Sequence, residues 1–449
     1  MIRQPRRWTG LLPLMMAFAL ALTFQGCGGG GGTSSYSSPS TTSTGAVVDP
    51  ATVKSWIDSG KVNGTGYDRV VILDVSSQAD YNTGHIPDAQ WLNPGNLYEN
   101  RDEGVLTDIN MVLDGPTMDA LVQKYGIDGN TTIVFTSADD TVNQKTGAEN
   151  YFPWLSVGRA YWTFRYWGFP KDRLKVLNGL DAAYDNTYGL TANGTPPITP
   201  STWSVKDNPS FRGDLRSSLM DMINFADGKD YNTVVLDTRG EDGDGYDKTS
   251  SYSGDKHSTP GAWDPAHTSV AFEGHINGAK ALNTYFFYKV VKGTPKSYMA
   301  LHSASAMAKM LAENGVNSTQ KIIVHCRTGV IAAGAFVAID AVLGWNVANY
   351  DGSWTQWGML ASTANCGPLD PSSPWRTDTP QRTQNLTFNE VAVGNCTGIE
   401  DATDGGTYPV DSFDTDLNRI NEQDSAYFSS GSSSGSSSSG GGASLGCGS

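Results

Sequence analysis

Residues 126–135 and 315–324 repeat one pattern: Ile133-Val134-Phe135 follows Gly126-Ile127, and Ile322-Ile323-Val324 follows Gly315-Val316, at an offset of 189. An internal repeat on this scale restricts the fold sharply, because two copies of one apolar pattern must bury equivalent faces. Each copy places a helical segment before its Gly. Pro116 to Tyr125 has a Pro suited to the first turn, and Ser303 to Asn314 is followed by Gly315, suited to a left-handed cap. The apolar triplets read as buried strands. Upstream, Val70 to Val75 and Val234 to Thr238 are β-branched runs containing Asp74 and Asp237, followed by Gly84-His85-Ile86 and Gly274-His275-Ile276. Downstream, Asn178-Gly179 pairs with Asp351-Gly352. Strand, helix and strand recurring in this order predict an α/β chain of two domains, each a parallel sheet flanked by helices.

A length of 449 residues suits two such domains, with the Pro-rich stretch 195–208 as linker. The formal net charge of −15 disfavours nonspecific binding to nucleic acid or anionic lipid. No heptad repeat, no run of 18 apolar residues and no zinc-type Cys/His spacing occurs, which argues against a coiled coil, a transmembrane bundle and a zinc finger. At the amino terminus, Arg3, Arg6 and Arg7 precede an apolar stretch from Leu11 to Phe24, the length of a secretory h-region. It ends in Phe24-Gln25-Gly26-Cys27, which resembles a bacterial lipobox although Phe24 and Gln25 depart from its usual residues. Residues 1–26 are therefore expected to be a signal peptide and Cys27 the lipid-attachment site of an exported lipoprotein. The expected location is the outer membrane, a periplasm-facing leaflet or the cell surface. Residues 27–45, rich in Gly, Ser and Thr, form a flexible tether. Residues 366–428 read as a C-terminal extension, and 429–449 as a disordered tail too poor in apolar residues to offset ordering entropy.

Several landmarks together resemble the rhodanese family, and the tandem thiosulfate sulfurtransferases in particular. They are Asp237-Thr238-Arg239, Gly-His-Ile in both halves, the loop Cys326-Arg327-Thr328-Gly329-Val330-Ile331, and Tyr350-Asp351-Gly352-Ser353-Trp354. The resemblance spans roughly residues 46 to 365 and implies an inactive rhodanese-like domain over 46–194 and a catalytic one over 209–365. Cys326 follows a strand and precedes an Ala-rich helix expected from about Val330 to Leu343, so its sulfur is expected at a helix amino terminus. There the unpaired N–H groups, the dipole and the neighbouring Arg327 favour the thiolate, the nucleophilic form. The resemblance implies double displacement: Cys326 takes the sulfane sulfur of a donor such as thiosulfate, sulfite leaves, and cyanide or a thiol removes the outer sulfur from the persulfide. Arg239 and Arg327 are candidates to neutralise the oxyanion, and the loop from Thr328 through Gly329, Val330 and Ile331 to cradle the sulfur. No dissociable cofactor or metal is required. A cysteine phosphatase loop needs an Arg six residues after the nucleophile, where this chain has Ala332. An opening that lets a donor reach the thiol is a condition of this reading. Its rival is a surface-anchored rhodanese-fold subunit of a cell-envelope complex, with envelope proteins as partners and little or no sulfur transfer.

The offset places Ser137 opposite Cys326, and Asp74-Val75-Ser76 corresponds to Asp237-Thr238-Arg239, so the first half lacks both groups. His85 and His275 are expected to satisfy backbone groups in turns, and the aromatic run Tyr161, Trp162, Phe164, Tyr166, Trp167 to pack in the core or between domains. The Asp to Gly-His-Ile spacing is 11 residues in the first half and 38 in the second, which marks an insert over 240–273. Its Glu241, Asp242, Asp244 and Asp247 lack an EF-hand register and read as a solvated loop. Cys366 and Cys396 form a plausible disulfide in an oxidising compartment, which leaves Cys447 unpaired.

Overall fold

The computed structural model describes residues 45–104, 107–138, 150, 152–194, 197–239, 275–361, 374–376 and 417–431. The signal peptide, Cys27, the insert 240–273, Cys366, Cys396 and Cys447 lie outside the described residues. The first half runs β1 (Val47–Val48), α1 (Pro50–Asp58), β2 (Val70–Asp74), α2 (Gln78–Thr83), β3 (Gln90–Trp91), β4 (Glu99–Asp102), β5 (Thr107–Met111), α3 (Gly115–Lys124), β6 (Thr132–Thr136), α4 (Phe152–Tyr166), β7 (Leu174–Leu177) and α5 (Leu180–Tyr188). The second runs α6 (Leu219–Ala226), β8 (Thr233–Asp237), β9 (Lys280–Ala281), β10 (Tyr288–Val291), β11 (Tyr298–Leu301), α7 (Ala304–Glu313), β12 (Lys321–His325), α8 (Val330–Val337), β13 (Val347–Asn349) and α9 (Ser353–Ala361). The helix expected to reach Leu343 changes to a π-helix at Ala338.

Local chemistry explains the expected helices. Asp114 accepts from Thr117 N (2.8 Å) at the start of α3, with Pro116 in the first turn, and Ser303 caps α7. The strand β8 is buried at all five positions, as a central parallel strand covered on both faces should be.

The two sheets are laid out alike. The order is β1-β7-β6-β2-β3 in the first half and β13-β12-β8-β9 in the second, with every pair parallel. Ile133 faces Leu174 and Val70 faces Thr132; their counterparts Ile322 and Val347, and Thr233 and Lys321, face each other in the same register. Where β1 borders β7, the second half has only a parallel bridge between Arg216 and Asn349. Each half also carries an antiparallel ribbon, β4–β5 and β10–β11.

The halves share one continuous core, in which Phe135, Tyr161 and Trp162 of the first half lie in the same cluster as Val324, Ala335 and Phe336 of the second. The aromatic run lies in α4 and the loop after it, and α4 forms the seam, as expected. Trp162 Nε1 donates to the Leu215 carbonyl (2.8 Å), Trp154 Nε1 to the Met299 carbonyl (3.1 Å), and the Tyr161 hydroxyl to Asp340 Oδ2 (2.7 Å). The backbones of α4 and α8 come together at Gly158, where a Cβ would stand 2.4 Å from the Ala333 carbonyl oxygen.

A last helix, α10 (Arg419–Ser429), falls at the end of the C-terminal extension. Ser429, expected in the disordered tail, belongs to this helix because the turns before it are pinned. Asp424 takes both Arg101 Nη1 and Nη2 (2.8 Å each) and the Tyr166 hydroxyl (2.7 Å), while the Tyr427 hydroxyl donates to Asp119 (2.6 Å). Among the described residues, no helix is long and apolar enough to cross a membrane.

Candidate active site

The end of β12 delivers Cys326. Thr238 N and Oγ1 both donate to the His325 carbonyl (2.8 and 2.9 Å), which fixes the strand end one residue before the cysteine. The chain then turns through Arg327 and Thr328 to Gly329, whose left-handed backbone (φ +74°) starts α8. A Cβ on Gly329 would lie 2.7 Å from Asp351 Cα, so the loop and the Tyr350–Trp354 segment fit together only with glycine at this position. That segment holds the loop from below. Cys326 N donates to Ser353 Oγ (3.1 Å), Trp354 N to the Cys326 carbonyl (3.0 Å), and Thr355 N and Oγ1 to the Arg327 carbonyl (2.8 and 2.7 Å). Ser353 has φ +51°, and its counterpart Leu180 has φ +53°, so the repeat carries the same left-handed residue in both halves. In the second half its hydroxyl is used as a support.

Cys326 follows the last residue of β12 and stands four residues before the start of α8, where N–H groups lack intrahelical partners and an anion is stabilised. Access differs from the expectation: Cys326 is 0 % exposed. Cys326 belongs to the core cluster shared by the two halves, with α4 packed against α8, instead of lining an open cleft. The surroundings are not purely hydrocarbon. Tyr98 and Arg159 of the first half are within electrostatic reach of the Cys326 sulfur: burial raises Tyr98 and lowers Arg159 from their ordinary values, and negative charge at Cys326 pushes both upward.

Arg159 is fully buried, with Nε donating to the Leu97 carbonyl (3.3 Å) and Nη2 to the Asn110 carbonyl (2.7 Å). Its guanidinium carbon lies 4.8 Å from the Tyr98 ring centre and 4.6 Å from that of Trp162. Neither Arg159 nor Tyr98 stood out as a site residue in the sequence. A charged side chain two residues before the aromatic run of α4 was the signal available.

Arg239 lies beside the loop, two residues past the end of β8, and is buried. Its Nε and Nη2 reach Asp237 Oδ1 and Oδ2 at 2.9 and 2.6 Å, so two of its donors are committed to a carboxylate of its own strand. Burial pushes Asp237 up, but Arg239, His325 and His275 outweigh it and hold Asp237 below the usual carboxylate range. Burial brings His325 down to about 4, so it is neutral near pH 7, with Nδ1 3.2 Å from the Cys326 carbonyl. The half-buried Arg327, Thr328, Val330 and Ile331, with buried Gly329, surround the start of α8. His85 is structural, as expected: its ring stacks on Tyr81 and its Nδ1 is 2.8 Å from the Tyr81 carbonyl.

Asp351 and Arg216 extend the seam. Asp351 Oδ2 accepts from Val112 N of the first half (2.8 Å) and Oδ1 from Arg216 Nε (2.8 Å), and Arg216 also forks onto Glu103. Asp108, close by and fully buried, is raised by desolvation to about 8.

Residues 222–360 match the family model described as Rhodanese-like domain. The second half contains a rhodanese-like domain. The chain is 26 % identical over 315 residues to a protein of Haloferax volcanii named "Putative thiosulfate sulfurtransferase", an alignment covering 69 % of this chain and 91 % of that protein. It is 27 % identical over 286 residues to the "Sulfur carrier protein TtuD" of Thermus thermophilus, covering 62 % of this chain and 84 % of that one. Among solved structures, the anaerobic ergothioneine biosynthesis enzyme of Chlorobium limicola, in complex with trimethyl histidine, aligns with TM-score 0.50 at 16 % identity, over 71 % of this chain and 69 % of that one. At that identity the likeness is one of fold. The loop 326–331 lies inside the matched rhodanese-like domain, and Arg159 and Tyr98 lie outside it.

Proposed function

We propose that the chain is a tandem rhodanese whose second half moves sulfane sulfur from thiosulfate or a similar donor to cyanide or a thiol through a persulfide on Cys326. The carrying observation is the position of Cys326: at a parallel strand end, before a glycine-turned helix start, inside the rhodanese-like match. The thiolate attacks the outer sulfur of thiosulfate, the S–S bond of the donor breaks, sulfite leaves with the electron pair, and Cys–S–S⁻ remains. An acceptor then attacks the outer sulfur. Amides at the start of α8 stabilise the anionic outer sulfur, Arg327 contributes charge next to the loop, and Arg239 holds Asp237 and the strand end. No dissociable cofactor enters this chemistry. The matching sheet registers and a 315-residue alignment to a sulfurtransferase-named relative support reading the first half as a second, inactive rhodanese-like copy.

Steady-state thiocyanate formation from thiosulfate and cyanide tests the reading. The native chain should turn over, and Cys326→Ala should not; no turnover by the native chain, or equal turnover by both, would overturn it. The complete burial of Cys326 favours a second reading, an envelope-complex subunit with little or no transfer activity. Native turnover decides between the two. We also propose export, with Cys27 as lipid anchor; Cys27→Ser should then release the protein from membranes, and unchanged fractionation would refute the anchor.

A further inference from the structure

We infer that Arg159, contributed by the nucleophile-free half, is the anion-binding side chain of the Cys326 site and selects donors whose leaving group is a sulfur oxyanion. The inference rests on the sulfur-transfer reading and specifies its substrate class. Three of its observations concern geometry. Arg159 is fully buried, and its Nη1 has no hydrogen-bond partner among the described residues. Its other two nitrogens are fixed on the carbonyls of Leu97 and Asn110, and two aromatic rings flank the guanidinium, so the direction of Nη1 is set before any ligand arrives. The residue before it, Gly158, touches the backbone of α8 at Ala333 and Gly334, which brings Arg159 to the helix whose amino terminus follows Cys326.

A buried guanidinium that keeps an unpaired N–H is unfavourable unless something charged completes it. Holding two carbonyls would explain Nε and Nη2; it leaves Nη1 unexplained. Of the other buried arginines near the seam, Arg216 is paired to Glu103 and Asp351, Arg101 to Asp424 and Arg239 to Asp237, each with a carboxylate. Arg159 has no carboxylate partner in any ion pair of the described residues. A bound sulfonate oxygen would supply the missing acceptor. In the transfer step negative charge moves from the Cys326 sulfur to the departing sulfite, and a prefixed guanidinium within electrostatic reach of that sulfur would stabilise the displacement without reorganising. The division of labour follows: the second half provides the nucleophile and the amides, and the first provides the leaving-group cation.

The test compares two donors on the full chain. Thiosulfate delivers sulfur with a sulfite leaving group, and an alkyl hydropersulfide delivers the same sulfur with an alkyl thiolate and no oxyanion. Rates of sulfur addition to Cys326 are followed by intact mass. Arg159→Met should slow loading from thiosulfate by about 100-fold, the range seen when one oxyanion donor is removed, and leave loading from the hydropersulfide within about threefold. An equal loss with both donors would overturn the inference while leaving the transfer reading intact. A native chain loaded by neither donor would overturn both. If Arg159→Met does not fold, Arg159→Lys keeps the charge without the fork, and sulfite is the probe: it should raise the melting temperature of the native chain and not that of the Lys variant. An equal rise in both would overturn the inference.

Discussion

At the same point of two sheets in the same register, the halves carry Asp74 and Asp237. In the first half, Ser76 N donates to Asp74 Oδ1 (2.9 Å), and burial lifts Asp74 above the usual carboxylate range. In the second, Arg239 forks onto Asp237 and holds it below that range despite equal burial. One strand across, Ser137 stands where the other half has Cys326. The comparison teaches that the sheet framework tolerates a carboxyl raised at one strand end and lowered at the other. Strand pairing through Asp74↔Thr136 and Asp237↔His325 is a backbone matter, and the chemistry is added by two side chains. The first half has Ser137 in place of a cysteine and packs α4 against α8 of the second.

The largest expected effect concerns the nucleophile. Cys326→Ser should abolish persulfide formation, and adding Ser137→Cys to that variant should not restore it, because the first half lacks the Arg of Asp-x-Arg. Sulfur acquired at position 137 would break the comparison. Next, Arg239→Leu leaves a buried carboxylate without its cation and should destabilise the chain by about 3–5 kcal/mol in denaturant unfolding. Ser76→Ala, which removes one hydroxyl donor from Asp74, should cost only about 1–2 kcal/mol. Equal losses would mean that the two Asp environments are not different in the way described. A third variant, Asp424→Ala, strips α10 of its hold on Arg101 and Tyr166 and should destabilise by roughly 2–4 kcal/mol with little change in the strand registers. Proteolytic release of the C-terminal helix checks it.

A pH dependence of opposite sign separates the two kinds of acid. Asp237 is lowered, so its contribution is complete above the unfolded carboxylate range and is lost as pH falls through its folded value. Asp108 is raised to about 8, so the folded state binds its proton more tightly and stability falls as pH rises from about 4 toward 8. Asp108→Asn should flatten the decline between pH 5 and 8 in a denaturation series. An unchanged slope would show that Asp108 does not carry it.

The sheets and the long helices were legible because their signals are local. β-branched runs, Pro116 in a first turn, Ser303 as a cap and Gly315 as a stop each act within a few residues, and the repeat doubled the runs, the cap (Asp114) and the stop (Gly126). Cys326 was legible for the same reason, since strand, loop and Ala-rich helix are contiguous. The seam was not. Arg101 meets Asp424, 323 residues away, and Arg216 meets Glu103, 113 residues away, pairings with no period to reveal them. Arg159 was hidden by its neighbours, because an aromatic helix reads as packing whether or not one of its residues faces a site. The burial of Cys326 was also beyond local reading, since it lies in a core cluster built from both halves. Arg239 was visible as a charge near the loop, but its commitment to Asp237 depends on the side-chain geometry at the end of β8.

The most direct measurement is the intact mass of the purified mature chain after incubation with thiosulfate and removal of excess donor, beside Cys326→Ser treated identically. A gain of one sulfur atom on the native chain, absent from the variant and discharged by cyanide, is the predicted result. No gain on the native chain, or the same gain on both, would contradict sulfur transfer through Cys326.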